Sequence, residues 1–136
     1  MSILTNDQEM KKLIEDSQRI AIVGLSNKPE RDSYIVAKYL QKHGKEIIPV
    51  NPTIDEVLGI KAVASLKDIE GEVDMVDVFR RPDQVMPVVK EAVEIGAKSV
   101  WLQLGVVNEE ATEYASDNGL KVVMDRCVKI EHHRLF

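Results

Sequence analysis

The residues with most to offer chemically sit in four short stretches, each at the end of an apolar run. The first is "GLSNKPERDS", residues 24–33. Gly24 lets the backbone turn tightly and approach a ligand. A helix starting near Asp32 or Ser33 would aim free N–H groups and its positive dipole end at a phosphate. Lys28 adds a mobile charge and Arg31 a bidentate fork, with Leu25, Ser26, Asn27 and Ser33 completing the loop. The plain alternative is a turn glycine and two solvated cations. The second stretch is Val50, Asn51 and Pro52. Dinucleotide folds carry an acid near this position to hold a ribose hydroxyl, after a three-glycine turn. Here the position is Asn51, and the glycine spacing is absent, which weighs against NAD. Alone, Asn-Pro reads as turn initiation. The third is "FRRP": Phe79 offers a flat face to a purine, and Arg80 and Arg81 offer guanidinium groups to a phosphate; a core Phe beside a solvated Arg pair is the bland reading. The fourth is "QLG": Gln103 can hydrogen-bond a base edge or an amide, Leu104 follows, and Gly105 permits close backbone approach or simply a turn.

A fifth cluster, "MDRCVKIEHHR", packs Cys127 among Asp125, Arg126, Lys129, Glu131, His132, His133 and Arg134. A thiol beside cations can become reactive, and a histidine can serve it as base. Adjacent histidines do not share a helix face and no third ligand is evident, so a metal is not expected. The alternative is a small packed residue in a salt-linked tail.

The elements that must position these residues follow from apolar periodicity. Residues 6–16 have helical spacing with Asn6 as cap and Glu9 three residues on. "RIAIVGL" is a strand buried on both sides. Residues 33–43 form a helix ending at Gly44. "EIIPV" is the second strand, and Pro49 requires a place where no ladder bond is needed. A turn or short helix is expected around "TIDEVLG", then the strand "VDMVDVF", a helix over 83–95 with Pro87 early in it, the strand "KSVWLQL", a helix capped by Asn108 and stopped by Gly119, and the strand "LKVVMD". The final "RCVKIEHHRLF" has no clear assignment.

Strands alternating with helices imply right-handed crossovers and a parallel sheet covered on both faces. The expectation is an α/β, Rossmann-like, doubly wound sheet of about five strands in the order 3-2-1-4-5, forming one domain over residues 1–136. Its ligand crevice lies beyond the carboxyl ends of the strands, where the order reverses. All four stretches fall on that rim, so their cations are expected to converge at one mouth and favour a polyanionic nucleotide.

Composition sets outer limits. The net charge of −5 argues against a chain that coats nucleic acid, but a few focused cations can still attract a small anion. No apolar run approaches the roughly 18 residues of a membrane span, and the amphipathic N-terminus lacks the features of a signal peptide, so a cytoplasmic location is expected. One cysteine excludes an internal disulfide. The pattern sets no oligomeric state and demands no protein partner.

Together, "VGLSNKPERDSYIVAKYLQKHG", "IIPVNP", "EVLG", "VDVFRRP", "VWLQLGVVNEEA" and "VVMDRCVKIEHHRL" resemble the small CoA-binding proteins similar to the N-terminal domain of the succinyl-CoA synthetase alpha subunit. The resemblance covers nearly the whole chain. It implies a Rossmann-like fold that binds coenzyme A or an acyl-CoA. Phosphate contacts would come from Gly24 to Arg31, further contacts from Val50, Asn51 and Pro52, adenine-side contacts from Phe79, Arg80 and Arg81, and pantetheine-side contacts from Gln103, Leu104 and Gly105. The synthetase's other catalytic domains have no counterpart here, so its activity does not transfer with the fold. A non-catalytic binding module is expected. The alternatives are an enzyme acting on a CoA thioester through Cys127, and an NAD(P)- or other nucleotide-binding regulator.

Overall fold

A computed structural model of the protein describes residues 3–136. Helix α1, Asp7–Asp16, begins as its cap predicts: the Asn6 side chain accepts the Glu9 N–H at 2.8 Å. Strand β1, Arg19–Val23, leads through the Gly24 loop into α2, Asp32–Lys42. Strand β2, Glu46–Val50, is followed by the short strands β3, Glu56–Val57, and β4, Ile60–Lys61. These two form an antiparallel hairpin where the sequence suggests a turn or short helix. Its central residues, Leu58 and Gly59, both take positive φ, the twist that a two-residue hairpin loop needs. Then come β5, Met75–Val78; a 3₁₀ turn at Pro82–Gln84; α3, Val85–Glu94; β6, Ser99–Leu102; α4, Glu109–Asp117; and β7, Lys121–Val123. Pro87 is the third residue of α3, where its missing N–H leaves no intrahelical bond unmade. The unassigned tail is a helix, α5, Val128–Leu135, with Cys127 as its N-cap residue.

The five long strands form one parallel sheet, but their order is β2-β1-β5-β6-β7. Counted along the chain this is 2-1-3-4-5, so the expected order 3-2-1-4-5 is wrong. Pro49 supplies the physical reason. Glu46 donates to the Gln18 carbonyl and Gly24 donates to the Val50 carbonyl, so the even-numbered residues of β2 bond β1. Pro49 therefore turns its nitrogen outward, and only a strand with no long neighbour on that side tolerates it. The outer edge is met instead by Val63, whose N–H donates to the Pro49 carbonyl at 2.9 Å. At the opposite edge Ile3 bridges Val122. Both edges are thus shielded from further pairing.

Strand periodicity divides the core in two. Ala21, Val23, Val76, Val78, Val100 and Leu102 pack under α3 and α4. Ile20, Ile22, Ile47, Met75 and Trp101 pack under α1, α2 and α5. Trp101 is fully buried and its indole N–H donates to the Arg126 carbonyl at 2.7 Å, so this ring holds the start of the tail as well as filling the core.

Candidate functional site

The corrected strand order moves the point of reversal to the gap between β1 and β5. The Gly24 loop and the Phe79 segment are therefore direct neighbours. Gly24 has φ +87, and a Cβ there would lie 2.2 Å from the Phe79 carbonyl oxygen, so only glycine fits. Beyond it the loop is held by its own serines. The Ser26 N–H donates to Ser33 Oγ at 2.9 Å, and the Lys28 N–H donates to Ser26 Oγ at 3.1 Å. Arg31, the N-cap residue of α2, makes no side-chain cap bond, which leaves the first N–H groups of the helix open toward the loop. Asn51 laces the two strand ends together: its Nδ2 donates to the Leu25 carbonyl at 3.0 Å, and its Oδ1 accepts from Thr53 N–H at 2.9 Å.

Two adjoining hollows open on this rim. The polar one, about 520 Å³, is bordered by Gly24, Ser26, Asn27, Lys28, Arg31, Ser33 and Asn51, as the sequence suggests. Thr53 and Ile54 join them, unforeseen because they lie beyond the Asn-Pro turn. The second, about 680 Å³ and lined mainly by apolar surface, takes Arg80, Arg81, Gln103, Leu104 and Gly105. Phe79 and Asp32 border both. The single mouth expected for all the cations is therefore two hollows with a shared border: Lys28 and Arg31 stand in one, Arg80 and Arg81 in the other. Leu25, Val50 and Pro52 line neither. Leu25 and Val50 are core residues and Pro52 is exposed.

Charge is concentrated here. Lys28, Arg31, Arg80, Arg81 and Lys129 face the two hollows against one acid, Asp32, in a chain whose net charge is −5. Among the described residues no ion pair engages Lys28, Arg31 or Arg80, and Arg81 has only an exposed 3.7 Å contact to Asp83. Such cations remain available to an anion.

The tail closes the second hollow. Asp125, at φ 60, accepts the Gly105 N–H at 2.7 Å and ties the β7 end to the Gln103–Gly105 turn. Cys127, Lys129 and Ile130 then form one wall. Arg126, Glu131, His132 and Arg134 link the tail to itself and to α1 and α2. Buried Glu131 accepts from Arg126 at 3.0 Å and Arg134 at 2.9 Å, and Arg134 continues to Asp7 of α1. The guanidinium beside Asp7 holds that carboxyl below its usual range. His132 Nδ1 lies 2.7 Å from the Tyr39 hydroxyl and its ring stacks on Phe136. Burial, with help from His43, Lys45 and His133, lowers its proton affinity. No hydrogen bond joins Cys127 to a histidine among the described residues.

Beneath the second hollow lies a carboxyl that sequence reading treats only as a strand residue. Asp77 is fully buried in β5, and Gln103 Nε2 donates to its Oδ1. Burial pushes its pKa up to about 7, against the lowering effect of the Gln103 bond.

Comparison with known proteins agrees with this architecture. A 43% identical solved structure, a hypothetical protein from Pyrococcus horikoshii OT3, superposes with a TM-score of 0.93 over 96% of this chain and 92% of that one. YneT, an uncharacterized protein of Bacillus subtilis, is 52% identical over 91% of this chain and 92% of its own length. The alpha subunit of an ADP-forming acetate–CoA ligase II from Pyrococcus furiosus is 34% identical over 82% of this chain, which spans 27% of that larger protein. The family model described as a CoA binding domain matches residues 18–133. That match takes in both hollows and every strand of the parallel sheet, and the chain belongs to the CoA-binding domain family shared with these acetate–CoA ligase subunits.

Proposed function

We infer that the protein binds coenzyme A across both hollows and works as a binding module with no chemistry of its own. The observation that carries this reading is the pairing of a polar, cation-bordered hollow with an apolar one across Phe79. Coenzyme A has the same division: a nucleotide with a pyrophosphate and a 3′-phosphate at one end, and an uncharged pantetheine arm at the other. The nucleotide lies against the Gly24–Ser33 loop, where Lys28, Arg31 and the open N–H groups of α2 meet phosphate oxygens. Arg80 and Arg81 border the second hollow beside Phe79, so they grip phosphate where the ligand passes from one hollow to the other. The pantetheine arm runs past Gln103 toward Cys127.

Calorimetry with coenzyme A, 3′-dephospho-coenzyme A, NAD and NADP tests this. Coenzyme A should bind most tightly, with the dephospho form weaker and the dinucleotides weaker still; equal affinity for NAD would overturn the reading. Replacing Arg80 and Arg81 together by alanine should cost about 1–3 kcal/mol of binding, the scale of charge-assisted hydrogen bonds. Unchanged affinity removes the two arginines from the site.

A further inference from the structure

Asp77 is out of place on chemical grounds. It occupies the central strand β5, with Ile22 and Trp101 as its cross-strand partners, and is fully buried. Among the described residues its Oδ2 is the buried side-chain oxygen without a hydrogen-bond partner. An acid so placed is costly unless its one bond matters. That bond goes to Gln103, which is itself 3% exposed and borders the apolar hollow.

The geometry points to Asp77 as a positioning residue that decides which end of the Gln103 amide meets the ligand. An ionised carboxylate accepts only, so it fixes Nε2 inward and leaves the Gln103 carbonyl as the end offered to the hollow. A protonated carboxyl can donate instead, and the amide can then turn to offer N–H. In its ionised state the pair therefore selects a ligand with an amide N–H at this depth, which the pantetheine arm supplies. This rests on the coenzyme A reading. The carboxyl's raised pKa, about 7, puts the exchange in an accessible range, with the proton passing to solvent.

Few other groups compete. Ile22, Trp101 and the buried α1 residues Met10, Leu13 and Ile14 do not titrate. The ionisable groups bordering the same hollow are Asp32 of α2, Arg80 and Arg81 beyond β5, and Cys127 and Lys129 at α5. Glu131 of α5 is held by Arg126 and Arg134.

Coenzyme A binding to wild type and Asp77→Asn, measured by calorimetry between about pH 6 and pH 8, tests the assignment. The ligand's own phosphate ionisation cancels in the ratio of the two affinities. That ratio should rise roughly fivefold in favour of wild type with increasing pH, the scale of one net hydrogen bond. A flat ratio overturns the positioning role. Independently of any ligand, the Gln103 side-chain amide resonance should shift with a midpoint near pH 7 in wild type and stay fixed in the variant. Absence of that step overturns the coupling itself. If the step is present but coenzyme A binds neither protein, the coenzyme reading fails and the ligand-selecting role fails with it.

Discussion

The two hollows are built in opposite ways, though they share Phe79 and Asp32. The polar one is made of loop backbone, short hydroxyl side chains and exposed cations, fastened by local hydrogen bonds such as Ser26 to Ser33. The apolar one is made by tertiary packing. Its floor is a strand end, its wall is the start of α5, and an acid lies buried beneath it. A ligand charge can be met from the first with little reorganisation. Contacts in the second depend on elements from β5 to α5 being docked correctly. Salt should weaken the phosphate contacts of Lys28 and Arg31 in the first and of Arg80 and Arg81 at the border of the second, and leave the apolar contacts of the second nearly untouched.

The strongest way to break this contrast is to disturb the border itself. Gly24→Ala places a methyl group against the Phe79 carbonyl at a positive φ, and should cost roughly 3 kcal/mol or more of stability. Binding at both hollows should fall with it. A variant that melts and binds as wild type does would mean the border is looser than drawn.

Next in size is an effect confined to the apolar side. The raised pKa of Asp77 means that the folded state holds a proton which the unfolded chain releases near pH 4. Wild-type stability should therefore decline as pH rises from about 4 to about 7 and level off above, by on the order of a few kcal/mol. Asp77→Asn removes the ionisable group and should remove this slope, leaving the variant the more stable at pH 8. Denaturant melts across that range would show it; parallel curves for the two proteins would contradict it. The depressed carboxyls Asp7 and Asp74 act with the opposite sign, their stabilisation being lost as acid protonates them, so they do not mimic it.

The smallest effect belongs to the polar side. Lys28→Ala with Arg31→Ala should weaken coenzyme A by about 1–3 kcal/mol at low salt and leave stability within roughly 0.5 kcal/mol, because both residues are exposed and neither is in an ion pair among the described residues. The loss should shrink as salt is raised. A salt-independent loss would mean that the loop acts by shape and not by charge.

Much of this protein was legible without coordinates. Alternating buried runs and helical stretches specified a parallel α/β sheet, because period 2 and period 3.6 are local properties of the chain. Asn6 and Asn108 announced their helices, since a cap is read within three residues of itself. Gly24, Lys28 and Arg31 were recognisable as one loop because they are contiguous. What local pattern could not supply was neighbourhood. Strand order depends on long-range pairing, and Pro49 hints at an edge position for β2 without naming the strand on its other side. The separation of Arg80 and Arg81 from the loop cations, the exclusion of Leu25, Val50 and Pro52 from both hollows, and the entry of Ile54 and Ile130 all follow from that packing. So does Asp77, whose type and position were plain but whose burial was not. A carboxyl in a strand is ordinary until the elements around it remove every water, and only the assembled core decides that.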